Sequence, residues 1–274
     1  MSLPTLFISH GAPTFALEPG RLGPQLAALG RALPRPRAAL VMSPHWMTRE
    51  LAVQSGAMPR TVHDFGGFPE ALYRLDYPAP GAPAVADEAL ALLAAQGLAA
   101  RADPQAGRDH GAWVPLRHLY PAADVPVLQL SLPVGADPAQ VLALGRALAP
   151  LAARGVLMIG SGSLTHNLGD PALGRAGVPA YVGAFAEWVW QALARGDQAA
   201  LLDYQARAPH AVRAHPQADH FLPLFFALGA AGAQAGQVRR LAGGVDYGVI
   251  SMDSFVLGEP SSIAAPLTPQ TPRP

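Results

Sequence analysis

Val156-Leu157-Met158-Ile159-Gly160-Ser161-Gly162-Ser163-Leu164-Thr165-His166-Asn167 runs from four apolar residues through a glycine- and serine-rich turn to a histidine. A short, continuously apolar run suits a strand covered on both faces of a sheet. A turn of small residues at its end suits a loop facing a ligand, since ligands of open α/β sheets bind outside the carboxyl ends of the strands. Working outward, Thr5–Ser9, Ala38–Ser43, Leu51–Ser55, Val125–Leu132 and Tyr247–Ser251 read as further strands. Pro83–Gln96 reads as a helix stopped by Gly97. Asp137 and Pro138 form an N-cap and first-turn pair that opens a helix to about Arg154, with Gly155 after it. Pro179–Arg195, closed by Gly196, and the short apolar His220–Leu228 read as two more. The alternation predicts an α/β fold: one three-layer α/β/α domain with a central, mostly parallel or mixed sheet. That domain is expected over residues 1–258, followed by a Pro-rich flexible tail, Glu259–Pro274. Arg60–Gly81 and Asp103–Tyr120 read as long loops rich in Gly, Pro, His and aromatics, which in a compact domain often carry function.

Composition narrows the chemistry. The chain has 274 residues, 50% of them hydrophobic and 14% charged, a globular balance with enough length for a sizeable core. Its formal net charge is zero, which argues against nucleic acid as a partner. All 19 basic residues are arginine. Cysteine is absent, so thiolate metal sites, Fe–S clusters and cysteine nucleophiles are excluded, and any metal must be held by His, Asp or Glu. Met1-Ser2-Leu3-Pro4 has neither the basic nor the apolar region of a signal peptide. The longest uncharged stretch, 221–238, carries Pro223, three glycines and two glutamines and is a poor membrane span. The expected location is the cytoplasm, with no membrane partner.

The placement of the histidines matters more than their number. His10 directly follows the strand Thr5–Ser9, His45 closely follows Ala38–Ser43 within Ser43-Pro44-His45-Trp46, and His166 follows Val156–Ile159. One such histidine is as readily a capping or packing residue. Three, each beside Gly, Pro or Ser, point to one crevice, and imidazole is both the commonest metal ligand and a natural acid/base near neutral pH. His220, with Asp219 as a candidate N-cap, opens the apolar helix, and His215 precedes a proline. His110 lies in Asp109-His110-Gly111-Ala112-Trp113, where Gly111 permits close approach of another segment. His63 lies in Val62-His63-Asp64-Phe65-Gly66-Gly67-Phe68, a loop able to line a pocket. His118, in an expected helix Val114–Leu119, and His210 read as structural or solvent-facing. Gly160-Ser161-Gly162-Ser163 is neither a dinucleotide fingerprint nor a Walker A loop, and no Gly-x-Ser-x-Gly elbow or His-Glu-x-x-His helix is present.

Taken together, Ser9–Pro13, Ser43–Trp46, His63–Pro69, Leu75–Gly81, Asp109–Trp113, Gly160–Asn167 and His215–Pro223 resemble, in order and over nearly the whole chain, the class III extradiol dioxygenase superfamily in its DOPA 4,5-dioxygenase-like branch. The resemblance implies a metal held by His10, His45 and His220. It makes His166 the acid/base beside the ion, close enough to act as a fourth ligand before substrate binds, and gives His110 a part in positioning substrate or oxygen. His63, Trp46, Ser163 and His215 are the candidate substrate-binding residues, with Phe65, Phe68 and Trp113 as further candidate pocket walls. Where the protocatechuate-type branch uses a glutamate as third ligand, the matching segment here offers His220 beside Asp219. An all-histidine site resembles catalytic zinc, so the expected cofactor is one divalent ion, Fe(II) for activity or Zn(II) as bound.

The expected reaction is opening of a DOPA-like catechol ring by O2, so the implied partners are a small aromatic diol and oxygen. Two alternatives use the same scaffold: a zinc-dependent hydrolase acting through metal-bound hydroxide, and a non-enzymatic Memo-like binding protein.

Overall fold

The computed structural model describes residues 3–258. The tail Glu259–Pro274 lies outside the described residues. Ten strands are present: β1 (Thr5–Ser9), β2 (Ala38–Thr48), β3 (Ala52–Gln54), β4 (Arg101–Asp103), β5 (Val127–Pro133), β6 (Val156–Gly162), β7 (Val238–Leu241), β8 (Val245–Asp246), β9 (Ile250–Ser251) and β10 (Ser254–Leu257). Eight form one sheet in the order β4-β3-β5-β2-β6-β1-β10-β7, and β8 and β9 form a separate hairpin.

The four central strands, β5, β2, β6 and β1, run parallel, whereas β3 joins β5, and β10 joins β1 and β7, antiparallel. The mixed alternative of the expected sheet is the one adopted. Both faces are buried, and the period of two along each strand sorts residues between them. Phe7, Leu40, Met42, Val156 and Met158 join a core with helices Pro83–Ala95, Pro138–Leu148, Ala180–Ala194 and Pro223–Ala231. Leu6, Ile8, Ala39, Val41, Leu157 and Ile159 join the opposite core with helices Leu22–Ala32 and His110–Leu119. The result is the three-layer α/β/α arrangement read from the sequence.

The differences are local. β2 runs five residues beyond Ser43, with a register shift against β5 between Ser43 and Met47. Such an irregularity re-aims side chains, and His45 lies within it. Asp137 accepts from the Gln140 backbone in a full capping box, but the helix it opens ends at Leu148 and a short turn, Pro150–Ala153, follows. Pro150 cannot donate within a continuing helix. Within the stretch Asp103–Tyr120 the helix expected over Val114–Leu119 begins earlier, at His110, capped by Asp109, whose carboxylate accepts from Ala112 N at 3.1 Å. The expected strand Tyr247–Ser251 is instead the hairpin β8–β9, with Tyr247 in the turn at a positive φ of 50°. The last apolar helix begins at Pro223, not at His220, which occupies the turn before it. Among the described residues, no helix is long and apolar enough to cross a membrane.

Candidate metal centre and active site

Five histidines meet where the parallel strands end. His10 leaves β1, His45 sits in the distorted end of β2, His166 lies four residues beyond β6, His110 opens the helix after β4, and His220 precedes the helix Pro223–Ala231. Two glycines of β6 let the last of these approach. A Cβ on Gly160 would stand 2.0 Å from Pro223 O, and one on Gly162 would stand 2.2 Å from His220 O. Only a bare backbone lets that turn lie on the sheet, where Ser163 N donates to His220 O at 2.8 Å.

The ring nitrogens are sorted by their partners. His10 Nδ1 lies 3.0 Å from Ser161 Oγ. The Ser161 hydroxyl donates to Gly111 O, so its oxygen is left to accept the Nδ1 proton. Gly111 O is available because Pro115, the residue that would donate to it in the helix, has no N–H. His110 Nδ1 donates to Asp64 Oδ2 at 2.9 Å, and its backbone N–H donates to Asp64 Oδ1 at 2.9 Å. Asp64 Oδ2 also stands 3.4 Å from His45 Nδ1. His220 Nδ1 stands 3.3 Å from Asp219 Oδ2, within ion-pair reach but without the alignment of a hydrogen bond.

With the Nδ1 atoms facing oxygen, the Nε2 atoms face one another. His45 Nε2 is 3.1 Å from His10 Nε2 and 3.3 Å from His220 Nε2. Neutral Nδ1–H imidazoles present lone pairs at Nε2, and lone pairs cannot bond one another. They can share a cation. Nitrogens on a common ion at about 2.1 Å are separated by roughly 3.0 Å in cis-octahedral and about 3.4 Å in tetrahedral geometry, and the two observed separations fall between these. Burial, reinforced by the neighbouring imidazoles, holds His10 and His220 well below the ordinary histidine pKa. Burial also lowers His45, to about 3, and lowers His166. These rings are therefore neutral at neutral pH, the form that binds metal. The donor set fits a single divalent ion.

More nitrogens surround the position than three. His10, His45 and His110 offer ligand atoms all within 4.8 Å of one another, while His220 reaches His45 as closely as a shared ion requires. His166 stacks on His220, with centroids 3.4 Å apart and planes 7° from parallel. Burial pushes the Asp64 carboxyl upward in pKa, but the hydrogen bonds from His110 outweigh it, and the group lies below the ordinary carboxyl value.

A cavity of about 550 Å³ opens over the cluster, lined by all five histidines and Asp64, with Phe65, Phe68, Leu168, Leu173, Tyr247 and Ile250 among its apolar wall. His63, Trp46, Ser163 and His215, the expected substrate-binding residues, do not line it. His63 Nε2 is tied to Leu75 O at 3.0 Å among Phe65, Tyr73 and Trp113. Trp46, next to His45 on β2, is half-buried and outside the lining. Ser163 is buried and bonds Thr165 O. His215 is buried against Phe185 and Phe221 with Nε2 on Leu164 O at 2.8 Å. Trp113 is likewise buried and donates to Val62 O. Phe65 and Phe68 do line the cavity. His118 is structural, bonded to Phe15 O, and His210 caps a short helix at a φ of 58°. Sequence reading missed Asp64, although it singled out the adjacent His63, and missed Tyr247, whose hydroxyl meets Thr14 Oγ1 at 2.7 Å.

Comparison with known proteins agrees with this geometry. Residues 6–250 match the family model described as the catalytic LigB subunit of aromatic ring-opening dioxygenase. A protein of Beta vulgaris named 4,5-DOPA dioxygenase extradiol is 39% identical over 255 residues, covering 92% of this chain and 95% of the relative. One of the same name from Escherichia coli K12 is 37% identical over 263 residues, covering 93% and 95%. The crystal structure of an uncharacterized protein from Escherichia coli K12 superposes with a TM-score of 0.77 at 31% identity, covering 93% of this chain and all of that one.

Proposed function

We propose, from the premise that this chain belongs to the family of the catalytic LigB subunit of aromatic ring-opening dioxygenases, that His10, His45 and His220 hold one divalent ion and that His166 moves the proton. The activity is extradiol ring opening. The carbon–carbon bond beside the diol of an aromatic substrate breaks, and both atoms of O2 enter the product. The relatives are named for DOPA, and a DOPA-like substituted catechol is the substrate class proposed here.

The observation that carries this reading is the pair of close Nε2 contacts of His45, 3.1 Å to His10 and 3.3 Å to His220. Fe(II) at that point would let electron density pass from a catecholate to oxygen, whereas Zn(II) would supply Lewis acidity alone. Fe(II) is the proposed active metal, and Zn(II) an ion the same ligands also hold. The protein's own part is to hold, orient and exchange protons. A catechol loses a proton as it binds and the opened ring regains one. His166, lining the cavity with its pKa lowered by burial, would accept the first and return it. Its stacking on His220 fixes its ring plane. His110, with its Nδ1 held by Asp64 and its ring lining the cavity, would orient substrate. Phe65 and Phe68 exclude water from one side of the ring.

The test is anaerobic loading with Fe(II), oxygen uptake with a panel of catechols, and metal content measured on the same preparations. His166→Ala is expected to keep its metal and lose roughly 10²–10⁴-fold in turnover. His10→Ala and His220→Ala are expected to lose metal and activity together, and His110→Ala to keep the metal. A His220→Ala variant with full metal beside a metal-free His110→Ala variant would transfer the third ligand to His110. Zn(II)-dependent hydrolysis without oxygen uptake would assign a hydrolase instead.

A further inference from the structure

His166 stands in no helix or strand, four residues beyond the end of β6, so its place depends on what holds the backbone around it. Much of that hold comes from one other stretch of chain, Arg213–His220, which passes it in the opposite direction. Ser163 N donates to His220 O, His215 Nε2 donates to Leu164 O, and His166 N donates to Ala214 O, each at 2.8 Å. Asn167 Nδ2 donates to Arg213 O at 2.8 Å, and Arg213 Nε donates to Asp170 Oδ2 at 3.0 Å. As the first segment advances from residue 163 to 170, the second recedes from 220 to 213. Thr165, between them, is tied through its hydroxyl to Val249 O and Ser251 N.

Two of these bonds are made by side chains that stand outside the cavity lining. The Asp170 carboxylate is buried and the Arg213 side chain half exposed, with the guanidinium over the Tyr181 ring, 4.3 Å from its centroid. A carboxylate withdrawn from water needs a partner, and Arg213 supplies it. His215 is enclosed between Phe185 and Phe221 and spends its one N–H on the Leu164 carbonyl. The same stretch of chain ends at His220, on whose ring His166 stacks at 3.4 Å. The acid/base and the third proposed ligand are therefore held together as one unit.

We propose that Arg213 and His215 are positioning residues for proton transfer: they clamp Leu164–Asp170 against the stretch that bears His220 and so fix His166 beside the metal position. The proposal rests on the acid/base role given to His166 above. Groups carried on loops are placed less precisely than those on helices and strands, and a misplacement of about 1 Å at a reacting group can cost roughly 100-fold in rate. The clamp gives a loop residue the rigidity that the strands give His10 and His45.

Arg213→Met breaks the pair with Asp170, and Arg213→Lys restores a cation there. His215→Leu removes the donor to Leu164 O, and His215→Gln keeps one. Each variant is measured for metal content and for kcat and KM in oxygen uptake with DOPA by the Fe(II)-loaded protein, alone and combined with His166→Ala. The ring-proton shifts of His166 in the Zn(II)-loaded protein report its stacking on His220 without any turnover. Arg213→Met and His215→Leu are expected to keep metal and KM, to lower kcat about 10- to 100-fold and to move the ring shifts toward unstacked values. Arg213→Lys and His215→Gln are expected to recover most of the loss. With His166→Ala in place, the same changes should cost nothing further, because they act through a ring that is gone. An additive loss in that background would overturn the proposal, as would loss of metal or a rise in KM alone, which would assign the clamp to the ligand His220 or to the cavity wall at Leu168. Should the core variant His215→Leu fail to fold, the half-exposed Arg213 decides. If the unaltered protein takes up no oxygen with any catechol, the dioxygenase reading falls and the ring shifts decide: displaced shifts in Arg213→Met keep the clamp, and unmoved shifts reject it.

Discussion

Replacing Asp64 by asparagine changes no heavy-atom shape, yet it should invert a proton. Asp64 accepts twice from the same residue, at Oδ1 from the His110 backbone N–H and at Oδ2 from His110 Nδ1–H, both at 2.9 Å. An amide can accept at only one of these positions. If its oxygen keeps the backbone N–H, its NH2 faces Nδ1 and makes that nitrogen an acceptor, moving the ring proton to Nε2, the atom offered to substrate. The opposite flip sets NH2 against a backbone N–H and leaves a buried donor unsatisfied, at about 1–3 kcal/mol, so the first arrangement prevails. Recovering the original tautomer then means breaking the new hydrogen bond, again about 1–3 kcal/mol, which is a loss of roughly 5- to 150-fold in the competent form. Asp64→Asn is expected to lower kcat/KM by about 10- to 100-fold on the same scale, with folding intact. The assay is steady-state oxygen uptake at saturating Fe(II), with metal content on the same sample and the His110 tautomer read from ¹⁵N shifts of the Zn(II)-loaded protein. An inverted tautomer with an unchanged rate would refute the role given to His110. A retained Nδ1–H in the variant would refute the hydrogen-bond reasoning itself.

Three other perturbations separate site from scaffold. Gly111→Ala would place a methyl 2.3 Å from Ser43 Oγ and 3.1 Å from His45 Cδ2. It should cost about 1–3 kcal/mol by overpacking and weaken metal affinity roughly 10- to 100-fold by displacing His45, read by chelator competition; unchanged affinity would show that His45 tolerates the shift. Burial holds His215 at about 4, below the roughly 6.5 of a free histidine. The unfolded chain therefore takes up that proton first, so the stabilisation is complete above about pH 6.5 and declines as pH falls toward 4, by about 3 kcal/mol in all. His215→Gln should flatten this part of the acid limb in denaturant melts, and an unaltered slope would mean that His215 is not buried as a neutral ring. Asp137→Ala removes the cap on Gln140 N; it should cost about 1 kcal/mol and about 2–4 °C in Tm while leaving turnover per folded molecule unchanged.

What was legible in the sequence follows the physics of each element. The central strands were readable because strands buried on both faces are rich in apolar residues, as the runs Leu6–Ile8 and Val156–Ile159 show. Edge strands obey no such rule. β7 is Val238-Arg239-Arg240-Leu241, half-buried, with Arg240 paired to Asp253 and Glu187, and nothing in that composition announces a strand. His10, His45 and His110 were readable because each borders a strand end, a proline or a glycine, whereas His166 and His220 stood out only through the glycine- and serine-rich turn and the apolar helix near them. Asp64 was not: its importance lies in two donors that arrive from residue 110 across the fold. His215 has the type and neighbourhood of a site residue, but the Leu164 carbonyl and two phenylalanines hold it in the core.

The helix His110–Leu119 shows why part of the site could not be read locally. Gly111 and Pro115 are poor helix residues by intrinsic preference, and together they make its first turn look like loop. Each defect serves a distant contact. Gly111 lacks a Cβ, so Ser43 and His45 can close on the backbone. Pro115 lacks an N–H, so the Gly111 carbonyl is left for Ser161. The Ser161 hydroxyl, committed as a donor to that carbonyl, must accept from His10 Nδ1, and this leaves His10 Nε2 as a lone pair facing His45. A proline in one layer thereby sets the tautomer of a histidine that leaves a strand in the next. The sign of every step comes from hydrogen-bond direction, which is invisible until the three segments are together. A helix more stable on its own would carry an N–H at position 115 that competes for the same carbonyl.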